Sequence, residues 1–576
     1  MRKTAFAVVL LAGLVACGAE GTSDKSASEA KSARQLGILT PKVAPSPRIN
    51  GATVYGVRPG RPVLYRLPVT GDRPMTYGVR GLPKGLQFDA RRGIVTGKIA
   101  VRGSYPVTFK AKNAKGETSR IVTFVVGDRI ALTPPLGWNS WNCFETDVTE
   151  KDIREAAEAL VKLGLADHGW NYVNIDDFWQ YRPNTIDKDE RIQKYWNQRY
   201  KIKDEPRTTG PAREADGTVV FNRERFTSMK GLADSVHELG LKIGLYSSPG
   251  PLTCGRCTGS YGFERKDAET WAAWGYDYVK YDWCGYRAVV DGDGLYRDMA
   301  PYILMSRLLA EQNRDIVLSI CQYGMANVSL WGEKAGGQLW RTTGDIHDNW
   351  KSLRDIIGKQ RGLGQFSGPG AWNDPDMLTI GWVSCGKPMH PTALTPNEQY
   401  TQMSMWALFA APLLIGCDLT KIDDFTLSLL TNDEVLEIDQ DPLGKGAERI
   451  VANGDGTEIW ARPLADGAVA VGLCNFSDEE RPVVFQLSEN GMMGNWKARD
   501  VWRQRDEGSV SCLYEVSVPP HATHLVRFTP TRNGGLAPEL NGDVREMAWR
   551  RLFKAPKPFD ASAWDCKDCR PLRVGQ

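Results

Sequence analysis

Short apolar runs, each ended by polar or acidic residues and separated by amphipathic segments, constrain this chain more than any other feature. The stretch 241–284, LKIGLYSSPGPLTCGRCTGSYGFERKDAETWAAWGYDYVKYDWC, carries the pattern in full. An apolar run ending in Tyr246, a loop with Gly and Cys, an amphipathic segment and a second apolar run ending in a charged pair form the repeat of a parallel sheet, whose crossover supplies the covering helix. Lys280 and Asp282 stand two residues apart and therefore face the same side of the second strand. The chemistry is expected there.

The same spacing predicts strands near 137–141, 172–177, 242–247, 276–282, 316–322 and 339–345, a seventh in the stretch before WNDPDM, and an eighth at 411–416. Helices are expected over 150–163, 226–239, 266–274, 295–310 and 398–410. Eight strands alternating with helices over about 300 residues fit a closed (β/α)8 barrel better than an open doubly wound sheet. No GxGxxG follows the first strand, which argues against a dinucleotide fold.

A length of 576 residues predicts two to four domains. The fold class expected is multidomain α/β plus all-β: a (β/α)8 TIM barrel at 130–440, flanked by an N-terminal β-sandwich at 49–128 and a C-terminal antiparallel β-sandwich at 441–530, with an extension at 531–576. Both flanks read as short period-two runs between Gly, Pro, Asn and Asp turns. In the first, GLPKGLQFDARRGIVTGKI followed by GSYPVTFKAKNAKG resembles the immunoglobulin- or cadherin-like repeats of bacterial surface proteins. The polar segment 181–220 is long for a connection inside a barrel and is read either as a rim loop or as a solvated insertion.

Met1, the basic pair Arg2 and Lys3, and the apolar run AFAVVLLAGLVA form an export signal over 1–16, too short for the roughly 20 apolar residues of a membrane span. Leu14, Val15, Ala16 and Cys17 resemble a bacterial lipoprotein cleavage box, in which Cys17 becomes the lipid-bearing first residue. A polar tether occupies 17–48. The chain is thus expected to be exported and lipid-anchored in the bacterial cell envelope. Lys and Arg number 72 against 69 Asp and Glu, which leaves no basic stripe for nucleic acid. The 19 Trp and 19 Tyr offer flat faces suited to sugar rings, although aromatics also fill cores.

Twelve cysteines in an exported chain permit disulfides. Cys254, Cys257, Cys284 and Cys321 fall at the ends of predicted strands, where a bridge would pin a loop; four thiolates imply zinc only where two close pairs converge. Cys566 and Cys569 form a lone CxxC, read as a local disulfide or an undocked pair rather than a redox motif. His521 and His524 make only a partial metal set. No metal and no cofactor are expected.

In a barrel the reactive groups sit at the C-terminal strand ends. Here those ends are acidic: Asp176 and Asp177, Asp282, Asp345, Asp374 and Asp376. A strand-terminal Asp often caps the next helix, but so many strand ends bearing carboxylates beside tryptophans imply glycoside hydrolysis, which needs one ionised and one proton-bearing carboxyl. Lys280 is expected to hold Asp282 ionised, which suits a nucleophile. Arg341 either orients a substrate hydroxyl or biases Asp345. Which Asp is acid and which nucleophile stays open on the residues alone.

Seven motifs carry a resemblance: GWNSW at 137–141, NIDDFW at 174–179, LKIGLYS at 241–247, KYDWC at 280–284, WRTTGDI at 340–346, GPGAWNDPDML at 368–378 and IDQDPLG at 438–444. In these the chain resembles the alpha-galactosidases of glycoside hydrolase family 27, within the melibiase-like clan, over about residues 130–530. The resemblance implies a retaining, exo-acting α-galactosidase with Asp282 as nucleophile and Asp345 as acid/base. It implies that Asp176 and Asp177 receive the 4-OH and 6-OH of galactose with Trp141 packing nearby, that Tyr246, Lys280, Arg341 and Asp376 make further sugar contacts, and that Cys254 and Cys284 form a disulfide between the loops after strands 3 and 4. Gln322 stands where animal members have Glu and is expected at the 2-OH; Tyr323 follows it, Cys321 lacks its family partner, and Phe178 replaces a cysteine. Galactose-containing glycans are the implied partners. Alternatives are a β-L-arabinopyranosidase or α-N-acetylgalactosaminidase of the same family, or a carbohydrate-binding surface protein on an inactive barrel.

Overall fold

Eight short strands form one parallel sheet: β1 (Leu136–Asn139), β2 (Tyr172–Asn174), β3 (Lys242–Ser247), β4 (Tyr278–Asp282), β5 (Val317–Cys321), β6 (Leu339–Arg341), β7 (Trp372–Asp374) and β8 (Leu413–Ile415). They are seen in a computed structural model that describes residues 37–183, 206–290, 294–532 and 534–536. The export signal, Cys17, most of the tether, the centre of the 181–220 segment, Cys566 and Cys569 lie outside the described residues. The sheet runs in sequence order from β7 back to β1, with β8 on the far side of β1. The circle closes just past β7, where the Leu378 N–H donates to the Leu414 carbonyl (2.8 Å) and the Gly416 N–H to the Leu378 carbonyl (3.0 Å).

The covering helices are α1 (Glu150–Lys162), α2 (Met229–Glu238), α3 (Glu264–Trp274), α4 (Leu295–Ala310), α5 (Trp350–Lys359), α6 (Pro396–Phe409), α7 (Asp424–Leu430) and α8 (Asp433–Asp439). Local chemistry starts them. Thr149 and Asp152 form a capping box on α1, which buries Ile153, Ala156, Ala157 and Leu160 along one stripe. Thr395, Pro396 and Glu398 do the same for α6. Two features differ from the sequence expectation: the place of the seventh strand, and α5, which the expected helices do not include. The seventh strand lies on Trp372–Asp374 itself rather than before it, because 367–370 contains Pro369 and a left-handed Gly370 and forms a turn, so the ladder to β6 begins at Trp372. Between β5 and β6 a 3-10 segment, Met325–Leu330, replaces a covering helix.

Strand alternation sorts the barrel interior into layers. Tyr172, Tyr278, Val317, Leu339 and Trp372 form an apolar plug at the N-terminal end. One step further along their strands stand Asn174, Lys280, Ser319, Arg341 and Asp374, and above β4's Lys280 stands Asp282. The intervening Val173, Val279, Leu318, Ile320 and Trp340 point outward into the helix layer. Gly244 occupies the β3 place in the polar layer because a Cβ there would meet Asn174 Oδ1 at 2.1 Å and the Tyr278 side chain at 2.9 Å.

The N-terminal module pairs a four-stranded with a three-stranded sheet around Val107, Phe109, Val122 and Phe124. It docks on the plugged end of the barrel, away from the acidic strand ends. The Arg58 N–H donates to Asp315 (2.8 Å), Arg66 to the Leu239 carbonyl (2.9 Å) and Asn50 to the Asp167 carbonyl (3.0 Å), while the Lys242 ammonium sits 4.9 Å from the Tyr55 ring and 5.3 Å from the Tyr172 ring. At the other flank, strands between Glu448 and Pro530 build a C-terminal sandwich of a six-stranded and a two-stranded sheet. It packs on α6, whose residues are buried throughout from Glu398 to Phe409. Trp502 donates to Ser404 Oγ (2.8 Å) and Arg462 to the Ala407 carbonyl (2.6 Å) across that junction.

Trp372 fills the plug at 0% exposure and donates its indole N–H to the Ala131 carbonyl. Trp372→Ala is expected to lower unfolding free energy by about 3–5 kcal/mol, read by denaturant titration.

Candidate functional site

The acidic strand ends converge at the open end of the barrel. Asp282, the last residue of β4, is buried and receives two phenols: Tyr246 from β3 donates to Oδ2 at 3.1 Å, and Tyr323, beyond β5, donates to Oδ1. Burial pushes its carboxyl up; Lys280 and the Tyr323 hydrogen bond act against that, and Asp345 and Asp176 add to it. The Lys280 ammonium, though two residues away on the same face, does not bond Asp282. It donates to Asp176 Oδ2 at 2.8 Å and lies 5.3 Å from the Tyr246 ring. Lys280 favours the ionised form of Asp282 through space, as expected, but without a bond to it, and burial outweighs that pull, so Asp282 sits above the ordinary carboxylate value. The neighbour register of β2, β3 and β4 brings Asp176 within reach of Lys280.

Asp176 is itself held by Asn139 Nδ2 at 3.0 Å and, through its N–H, by Ser140 Oγ at 2.9 Å. Asp177 faces a different way. Its oxygens accept from Thr253 Oγ1 (2.9 Å), the Phe178 N–H (2.9 Å) and the Gly255 N–H (2.8 Å), with the buried Cys257 thiol also against it, so it anchors the loop that carries Cys254. Phe178 adopts a left-handed φ of 79° to permit this. Burial raises the Asp177 pKa to about 6.

Arg341 is the second buried cation, with a side chain 3% exposed. Its Nη2 reaches Asp376 Oδ2 at 2.9 Å, Asp345 Oδ1 at 3.0 Å and the Thr343 carbonyl at 3.2 Å, and its Nη1 lies 3.9 Å from Cys321 Sγ. Asp376 stands at a left-handed φ of 90° and also accepts the Ile346 and Met377 N–H groups, both at 2.8 Å. Its carboxyl is pushed up by burial, with Arg341 opposing. Asp374 is raised to about 6 by burial, against the pull of Arg341.

Asp345 differs from the others because its side chain is 66% exposed. Partial burial pushes it up, but Arg341 and Lys280 together bring it below the ordinary value, an effect that water at the mouth weakens. Trp141, half-buried at the exit of β1, has its N–H held by Asn139 Oδ1 at 2.9 Å. Gln322 is fully buried, and neither amide atom has a protein partner. Cys254 and Cys284 form a disulfide between the loops after β3 and β4; Cys257 and Cys321 are free thiols. Two contributors escaped the sequence reading of the site. In the sequence Tyr323 stands out only as the neighbour of Gln322, and Asn139 lies inside the GWNSW motif without any mark of its own.

The mouth therefore holds one buried carboxylate flanked by phenols, one exposed carboxylate above a buried arginine, and further acceptors around the wall. The family model for Alpha galactosidase A matches residues 198–441, that for Alpha galactosidase C-terminal beta sandwich domain matches 454–528, and an Ig domain model matches 46–127. The Alpha-galactosidase of Cyamopsis tetragonoloba is 36% identical over 422 residues, 73% of this chain and 91% of that protein. Among solved structures, a Bacteroides fragilis protein superposes with a TM-score of 0.75 at 33% identity, covering 85% of this chain and 100% of its own. A β-L-arabinopyranosidase from Geobacillus stearothermophilus gives a TM-score of 0.60 at 27% identity over 70% of this chain and 98% of its own.

A carboxyl whose pKa is raised in the folded state adds stability that is complete below its unfolded value and is lost as pH rises through the folded one. For Asp374 that window runs from the ordinary 3.8 to about 6. Asp374→Asn, which keeps an acceptor for the Asp376 N–H, is expected to be more stable than the parent above about pH 7, by on the order of 2 kcal/mol, and to lose that advantage below about pH 4. Thermal melts across pH check this.

Proposed function

Because the chain belongs to glycoside hydrolase family 27, the alpha-galactosidase family, we propose that Asp282 and Asp345 divide its hydrolytic work as nucleophile and acid/base of a double displacement. The activity itself is that of an exo-acting α-galactosidase acting on galactose-containing glycans. The observation that carries the assignment is the contrast between the two carboxyls: Asp282 is buried and oriented by two phenols, whereas Asp345 is at the solvent mouth, where a leaving group departs.

In the first half, an Asp282 oxygen bonds to the anomeric carbon while the glycosidic C–O bond breaks and the departing oxygen takes a proton from Asp345. In the second, Asp345 takes a proton from water, the water oxygen attacks the anomeric carbon, and the electron pair of the ester C–O bond returns to Asp282. In the free protein Arg341 favours ionised Asp345. A sugar that fills the mouth removes the water around Asp345 and leaves it facing the negative Asp282, and both effects raise its pKa toward the proton-bearing form. Asp176, Asp177, the unpartnered amide of Gln322 and the half-buried ring of Trp141 supply the sugar contacts. Galactose is favoured over its C6-less relative β-L-arabinopyranose because acceptors at Asp176 and Asp177 are retained for the 6-OH. Comparing rates on the two aryl glycosides separates these sugars.

We also assign the protein to the cell envelope, anchored by lipid on Cys17, from the basic pair, apolar run and Leu14 to Cys17 box of its N-terminus. Cys17→Ser is expected to abolish incorporation of labelled fatty acid.

The product formed first is expected to be α-galactose, followed by NMR of the anomeric proton; β-galactose at early time would refute the double displacement. Asp282→Gly and Asp345→Gly are each expected to lose about three orders of magnitude or more in kcat with a natural substrate. With azide present, Asp282→Gly should give β-galactosyl azide and Asp345→Gly α-galactosyl azide, since azide replaces the enzyme nucleophile in one case and the water in the other.

A further inference from the structure

We propose that Tyr323 is a positioning residue for this reaction, its phenol aiming and stabilising the Asp282 carboxylate as that group attacks and, above all, as it leaves. The proposal rests on Asp282 being the nucleophile.

Tyr323 donates to Asp282 Oδ1, the oxygen that Tyr246 does not hold. Its phenol oxygen lies 3.4 Å from Cys254 Sγ and 3.4 Å from Cys284 Sγ, so the disulfide limits where the hydroxyl can travel. The backbone is bent to deliver it. Tyr323 has a φ of 62°, Gly324 of 80°, and Ala326 and Asn327 of 53° each, a run of left-handed residues that non-glycine side chains rarely adopt. A Cβ on Gly324 would fall 2.1 Å from the Thr342 carbonyl, and the Gly324 N–H donates to the Arg341 carbonyl at 3.1 Å, so the turn is clamped against β6. This turn stands in place of the helix missing between β5 and β6, and its product is one phenol on the nucleophile.

The two half-reactions use that hydrogen bond unequally. During attack, negative charge leaves Asp282, and a donor on Oδ1 mainly keeps the group ionised and aimed. During hydrolysis of the ester the electron pair returns to Asp282, and the same donor stabilises the departing carboxylate. The groups that also act on Asp282 are Lys280 on its own strand, Tyr246 from β3, Asp176 beyond β2, Cys321 on β5, Asp345 beyond β6 and Tyr302 on α4. Tyr323→Phe leaves all of these in place and removes one hydroxyl.

With an aryl α-galactoside bearing a good leaving group, kcat reports the second half-reaction. For Tyr323→Phe in the full-length enzyme, kcat is expected to fall about 10- to 100-fold, KM to fall with it as the covalent intermediate accumulates, and kcat/KM to fall less. The acidic limb of the kcat/KM profile is expected to move to higher pH, because a donor to the ionised form has been lost. An unmoved limb with unchanged kcat, or an equal fall in kcat and kcat/KM with an unmoved limb, would overturn the proposal and leave Tyr323 a packing residue. The limb position does not depend on how much of the variant folds, so it remains decisive if the yield drops. Failure of the nucleophile assignment shows separately, as Asp282→Gly that keeps turnover or gives no β-galactosyl azide.

Discussion

The ion network of Arg341 and Lys280 is the interaction on which the rest of the barrel mouth depends. Asp176, Asp282, Asp374 and Asp376 are all at or below 4% exposure, and an unpaired buried carboxylate is costly enough that it protonates instead. Two cations placed between them relieve the crowding: Lys280 serves Asp176, while Arg341 serves Asp376 and Asp345 together. Asp177 and Asp374 follow the other route, with pKa values raised to about 6. The planar guanidinium suits a shared position between two carboxylates in a way a lysine would not.

Below this charged layer the interior must be dry and filled, or water would weaken every pair above it. The Tyr172, Tyr278, Leu339 and Trp372 plug meets that need, and the N-terminal module covers the end of the barrel at which the plug sits. The module and the reacting groups are thus at opposite ends, so the immunoglobulin-like domain forms no wall of the sugar cleft. The C-terminal sandwich does comparable work from the side, where it buries α6 on all faces.

Backbone strain collects at the strand exits. Phe178, Tyr323 and Asp376 are non-glycine residues with left-handed φ values of 79°, 62° and 90°, and each adjoins or is a residue of the mouth. Phe178 turns Asp177 onto the loop of Cys254, Tyr323 brings a phenol to Asp282, and Asp376 turns its carboxylate onto Arg341. Such conformations persist where surrounding contacts over-determine them.

By itself the sequence determined the barrel, most strand positions, the faces of alternating residues and, through its motifs, the family. Period two placed Lys280 and Asp282 inside together, and the apolar stripe of α1 was equally plain. The short β7 is not placed by pattern because three residues beside Pro369 carry no period, and α5 lies outside the expected helices although Leu353, Ile356 and Ile357 form its buried face. Only the tertiary structure decided the partners. Whether Lys280 bonds Asp282 or Asp176 depends on the register between strands about 100 residues apart, and which carboxyl is buried depends on the layers that close around it. The hydroxyl of Tyr323 reaches Asp282 through a left-handed turn held by β6 and a disulfide, contacts that local sequence has no means to express.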